Sequence, residues 1–143
     1  MSARMASRIF IATIAILLGG MFYVFIRPGE ALFISWFRDA GFSINLEYLR
    51  TNILFKLPDW ITFSLPDGLW AFGYSLLISS IWSNNQSKLR LFWMASIPLL
   101  TIGFELLQYT PWIKGTFCPI DLVFTIAGIS LGYLIGTKTL KPK

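Results

Sequence analysis

One carboxylate in this chain lies inside an apolar run and away from its start. Glu105 falls within Leu91 to Tyr109, about one turn before that run ends. An ionised carboxylate at membrane depth costs a few kcal/mol, less near the interface, and such groups usually face a bundle interior or a polar cavity. The plainer account is a side chain that snorkels to the interface. Thr101, four residues before, and Gln108, three after, share its helical face. Interhelical hydrogen bonding alone could explain that polar stripe, at about 0.6 kcal/mol per bond on average. Asp121 follows Pro119, a normal helix start in which the dipole favours an acid. Its face also carries Thr125, Gly128, Gly132 and Gly136, a doubled small-xxx-small pattern that lets another helix approach closely. The expected seam is within the chain first and a homodimer second. Asp67 follows Pro66 and is explicable as an N-terminal carboxylate; Ala71, Tyr74 and Ile78 share its face.

These residues need elements to hold them. The chain has 143 residues, 55% hydrophobic and 13% charged, with mean hydropathy +0.65. A soluble domain this small could not bury so much apolar surface. The expectation is an all-α, polytopic integral membrane protein: a four-helix bundle spanning at about 9–26, 66–82, 91–109 and 120–136, each close to bilayer length. The first span reads as retained, since its apolar run is long for a signal peptide and Arg27-Pro28-Gly29-Glu30 is no small-residue cleavage site. Aromatics reach 17%, with six Trp, which suits rings anchored at the interfaces. Cys118 is the sole cysteine and there is no His. That excludes an internal disulfide, a Ser-His-Asp or Cys-His relay and a His-ligated metal. No cofactor and no metal is assigned.

Charge sets orientation. With the N-terminus inside, the inner segments carry Arg4, Arg8, Lys88, Arg90, Lys138, Lys141 and Lys143 and no acid, while all seven acids fall outside or near the outer leaflet. This obeys the positive-inside rule. Both termini are then cytoplasmic, and the net charge of +5 reflects topology; nucleic acid is not needed to explain it. The outer segment 27–65 is too apolar for a solvated loop. Glu30 to Phe37 reads as a short interfacial helix, and Leu46, Leu49, Ile53 and Leu57 as the buried stripe of another. A strand over Phe42 to Tyr48 also fits the alternation, but would leave backbone groups unpaired at a membrane surface.

This topology brings Asp67, Glu105, Gln108 and Asp121 to one outer level, with Trp112, Lys114 and Phe117 above them. Close acids there could bind a cation, hold a proton or accept hydrogen bonds from sugar hydroxyls.

The run Glu105-Leu-Leu-Gln108, then Lys114-Gly115-Thr-Phe117, then Asp121-x-x-x-Thr125-x-x-Gly128-x-x-x-Gly132 resembles the VanZ-like family of bacterial membrane proteins. That family has Glu-x-x-Gln, a basic Arg-containing turn, and Asp-x-x-x-Asn-x-x-Gly opening the last helix. The match covers roughly Pro98 to Gly136. Thr125 stands in place of Asn, Lys114 in place of Arg, and Ala71 near an expected His; the Asp67-to-Tyr74 spacing differs by one, and the outer segment is larger. The resemblance implies a single VanZ-like domain, 1–143, in the bacterial cytoplasmic membrane, in a family whose founding member is linked to glycopeptide (teicoplanin) resistance. The expected function is binding of a lipid headgroup or lipid-linked glycan by Asp67, Glu105, Gln108, Lys114, Asp121 and Thr125, with an effect on glycopeptide susceptibility. Two alternatives stand beside it. One is a small accessory subunit docked on a larger membrane partner through the glycine face. The other is an enzyme on a lipid-linked substrate with Glu105 and Asp121 as acid and base; the lack of a clear nucleophile and of His disfavours it, and no catalytic residue is assigned.

Overall fold

The computed structural model describes residues 3–26, 39, 41, 57–83, 85, 87–108, 110 and 117–138. All regular structure among them is helical: α1 (Ala3–Phe25), a π-helical turn (Trp60–Ser64) continuing into α2 (Leu65–Ile81), α3 (Lys88–Gln108) and α4 (Pro119–Thr137). The interfacial helices and the alternative strand expected between α1 and α2 lie outside the described residues, as do Trp112 and Lys114.

Helices α1, α3 and α4 are each long and apolar enough to cross a membrane. Large apolar side chains cover their outer faces, among them Leu17 and Met21 on α1, Leu91 and Leu99 on α3, and Leu131 and Leu134 on α4. Water would penalise that surface, whereas lipid matches it. The chain is therefore a membrane protein whose described elements are all helical.

Helix α2 is shorter, at 17 residues, and is the most enclosed. Its buried positions are mostly small: Gly68, Ala71, Gly73, Ser75, Ser79 and Ser80, with Leu76 among them. Small residues on several sides let it sit between two neighbours, because backbone-to-backbone approach maximises dispersion contact where lipid offers no hydrophobic drive. Against α1, the faces meet antiparallel. A Cβ on Gly73 would lie 2.7 Å from Ile16 Cγ1 and 2.8 Å from the Ala12 carbonyl, and one on Gly19 would lie 2.6 Å from Trp70 Cδ1. Against α4, the faces run parallel. Gly128 packs on the Gly68 carbonyl, Gly132 on Phe72 and Ser75, and Gly136 on Ser79. Gly128, Gly132 and Gly136 thus face another helix of the same chain. Ser79 Oγ lies 2.6 Å from the Ser75 carbonyl and 3.3 Å from that of Gly132.

Pro66 does not begin the helix, contrary to the expected span of 66–82. A proline here has no N–H to donate and would crowd the carbonyl one turn back. The wider π turn takes up the misfit: Leu65 N–H reaches the Trp60 carbonyl, five residues earlier, and Pro58 accepts from both Ile61 and Thr62. The helical path therefore starts at Trp60, and Ser64 lies within it.

Helix α3 packs least closely. Ile97 is its one buried residue, joining Ala71 and Ile129 in a small core with Ile78, Ile102 and Tyr133 around it. Pro98 interrupts α3 and cannot donate to the carbonyl of Met94. The Tyr133 hydroxyl of α4 donates to that carbonyl instead. In hydrocarbon an unfilled carbonyl is expensive, so the proline and the tyrosine belong together.

The first turns of α1 meet the C-terminal end of α4. Arg8 donates to the carbonyls of Gly136 (3.0 Å) and Lys138 (2.9 Å). These are among the last carbonyls of α4, which lack helical partners and carry the negative end of the dipole. Arg8→Ala should cost about 1 kcal/mol, with Arg8→Lys in between. Thermal unfolding in detergent measures it, and equal melting of all three proteins would show that the cap contributes nothing.

Candidate functional site

At the opposite end of the bundle from Arg8, three carboxylates converge. Asp67 comes from the first turn of α2, Glu105 from the last turn of α3 and Asp121 from the first turn of α4. Each is half-buried, and one oxygen from each lies within 4.8 Å of the others. The antiparallel course of α3 beside the mutually parallel α2 and α4 produces this, since one C-terminal end is brought beside two N-terminal ends. The two N-termini offer a partial positive charge that favours the acids, which offsets part of their mutual repulsion.

Ser64, in the π turn and 2% exposed, donates to Asp121 Oδ1 at 2.5 Å. A short bond from a hydroxyl to a carboxylate is a strong one, and it fixes the orientation of Asp121. Spacing along the chain gives no sign of Ser64, because hydropathy places the helix start after it. Thr125 follows Asp121 by one turn, is 3% exposed and still lines the cavity described next.

The carboxylates open into a cavity of about 1130 Å³. Thr101, Glu105 and Gln108 line it from α3, in keeping with their shared face. Away from the acids its wall is apolar, formed by Ala71, Ile97, Leu100 and Phe104. From Ile97 to Gln108 it follows α3 for about 16 Å at 1.5 Å per residue. Aromatic rings frame it. Tyr23 stacks on Trp70 at 5.4 Å between ring centres, and Trp60 on Phe124 at 5.8 Å. The Trp70 indole N–H donates to the Ile16 carbonyl of α1 at 3.0 Å, so the wall on that side is held by a fourth helix. The sequence marks Trp60 and Trp70 only as interface anchors; their place in the wall depends on the π turn and on α1.

Of the site residues expected from the sequence, Asp67, Glu105, Gln108, Asp121 and Thr125 line this one cavity, while Lys114 falls outside the described residues. Gly128, Gly132 and Gly136 lie on the α2–α4 seam. Chemically, the arrangement offers anionic oxygens and a hydroxyl at one end of a long apolar slot. It suits a cation or a group rich in hydroxyl or ammonium donors, attached to an apolar body. No family model, curated protein or solved structure matches this chain.

Proposed function

We propose that this chain is a VanZ-like protein of the bacterial cytoplasmic membrane that binds an envelope amphiphile. It crosses four times with both termini in the cytoplasm, and its outer-leaflet pocket takes a lipid headgroup or lipid-linked glycan. The observation that carries this reading is the junction of three carboxylates with an apolar slot in a single cavity. An amphiphile has the same division: sugar hydroxyls or an ammonium donate to the acids, and the chain lies along Ala71, Ile97 and Leu100. The basic inner segments and acid-bearing outer ones support the orientation, and α2, although short, is the centre of the packing. The Glu105-x-x-Gln108 and Asp121-x-x-x-Thr125 elements support the family and, through it, a link to glycopeptide susceptibility.

Native mass spectrometry of protein extracted in mild detergent provides the test. An amphiphile should accompany the wild type and be lost from Asp67→Asn and Asp121→Asn variants that still melt as folded proteins. Glycopeptide susceptibility of the host should change with the wild-type gene and not with either variant. An unchanged lipid complement in both variants would refute the reading.

A further inference from the structure

We infer that Ser64 and Asp121 form a nucleophile–base pair that cleaves a carboxylic ester in the bound amphiphile. The pair stands on its own geometry; only the nature of its substrate rests on the preceding reading. A serine in or beside a helix ordinarily turns its hydroxyl back to a carbonyl three or four residues earlier. Ser79, Ser83 and Ser96 do so on this fold, to the carbonyls of Ser75, Ser80 and Trp93. Ser64 instead donates across to Asp121 Oδ1 on another helix, at 2.5 Å. That direct contact is the relation a hydroxyl nucleophile needs with its base. Both residues line the cavity, so the hydroxyl borders the space a substrate enters although Ser64 is otherwise enclosed. Its place comes from the π turn, an irregularity that recurs at functional sites. Hydropathy and spacing give this pocket no nucleophile; the π turn supplies one.

Attack of Ser64 Oγ on the ester carbonyl carbon forms the Oγ–C bond and passes the hydroxyl proton to Asp121, while the C=O electron pair moves onto oxygen. Collapse of that oxyanion breaks the C–O bond to the alcohol, which leaves with the proton from Asp121. Water then attacks the acyl group on Ser64. Its proton goes to Asp121, the Oγ–C bond breaks, and Oγ takes the proton back. The sum is ester plus water giving carboxylic acid plus alcohol. Helix α4 opens without a side-chain cap, and its first-turn N–H groups, at Ile120 and Asp121, are donors of the kind that stabilise an oxyanion. A neutral carboxylic ester suits the pocket better than a phosphate ester. Among the described residues no lysine or arginine lines the cavity to hold phosphoryl oxygens. The apolar wall of Ala71, Ile97, Leu100 and Phe104 takes the acyl chain.

A fluorophosphonate probe, which modifies activated serine hydroxyls, tests the pair without knowledge of the natural substrate. In detergent the folded wild type should be labelled, and peptide mass spectrometry should place the label on Ser64. Ser64→Ala should lose it. Asp121→Asn is the sharper variant, because its amide oxygen still accepts the hydrogen bond but cannot take the proton. A purely structural bond would tolerate the change. For a base, the labelling rate should fall about a hundredfold or more, in a protein that melts no lower than wild type. The wild type should hydrolyse p-nitrophenyl octanoate with kcat/KM about tenfold or more above that for the acetate; equal values would overturn the assignment of the apolar wall to the acyl chain. No label on the folded wild type, label only at another residue, or equal labelling of wild type and Asp121→Asn would overturn the pair. If label is absent while an amphiphile accompanies the protein, this inference falls and the preceding reading stands. If Ser64 is labelled while no amphiphile accompanies either wild type or Ser64→Ala, the pair stands and the preceding reading falls.

Discussion

Gly132→Leu should prevent the bundle from assembling. A Cβ at this position would lie 2.7 Å from the Phe72 carbonyl oxygen, 2.7 Å from Ser75 Cβ and 2.9 Å from the Leu76 nitrogen. Two of those atoms are backbone of the central helix and cannot rotate away. Overpacking costs about 1–3 kcal/mol where side chains can give; against backbone on a helix that is itself pinned by α1, the loss should exceed about 4 kcal/mol. Even Gly132→Ala should be clearly destabilising. The opposite is expected at Gly20 and Gly103, where an added Cβ meets nothing within 4 Å. There alanine should be neutral or should add up to about 1 kcal/mol through helix propensity. Detergent-resistant folding, followed by unfolding temperature and by size-exclusion profile, separates the cases. A Gly132→Leu protein that melts like wild type would mean that α2 and α4 do not pack through this face.

Asp121→Asn should act in the other direction and stabilise the protein. Ionised carboxylates whose oxygens lie within 4.8 Å of one another repel by about 3 kcal/mol or more at an effective dielectric near 20; partial exposure reduces this to about 1–2 kcal/mol. Against it stands the loss of an acid from a helix N-terminus, about 0.3–1 kcal/mol. The bond from Ser64 survives, since an asparagine Oδ1 also accepts. Relief of repulsion outweighs that loss, so the variant should melt a few degrees higher. Thermal melting of both proteins in detergent measures the difference. A variant less stable than wild type would show that the three acids do not repel one another in the folded protein.

Whether a feature is legible in the sequence depends on whether it is local. The α4 seam is, because Gly128, Gly132 and Gly136 recur every four residues. Its partner face is not: Gly68, Phe72, Ser75 and Ser79 have no distinctive pattern until a second helix is laid on them. The meeting of Asp67, Glu105 and Asp121 follows from their positions near the ends of successive apolar runs, which any alternating topology brings to one side. Ser64 is hidden because Pro66 looks like a boundary, and a π turn that absorbs a proline leaves no mark in hydropathy. Arg8 reads as an orientation charge, and its hold on α4 depends on a contact across 128 positions of sequence. Pro98 and Tyr133 are likewise a pair only in three dimensions.

The uneven packing of the bundle bears on how a ligand arrives. Helices α1, α2 and α4 are joined through backbone-close, small-residue seams, while α3 contributes a single buried side chain and accepts one hydroxyl-to-carbonyl bond from Tyr133. The slot lies along α3, so the cheapest element to displace borders the site. An amphiphile entering beside α3 would travel within the leaflet and never pass through water. Its occupancy would then follow its mole fraction among neighbouring lipids, and a site of weak intrinsic affinity could stay filled by a component that is abundant in the plane and almost insoluble outside it.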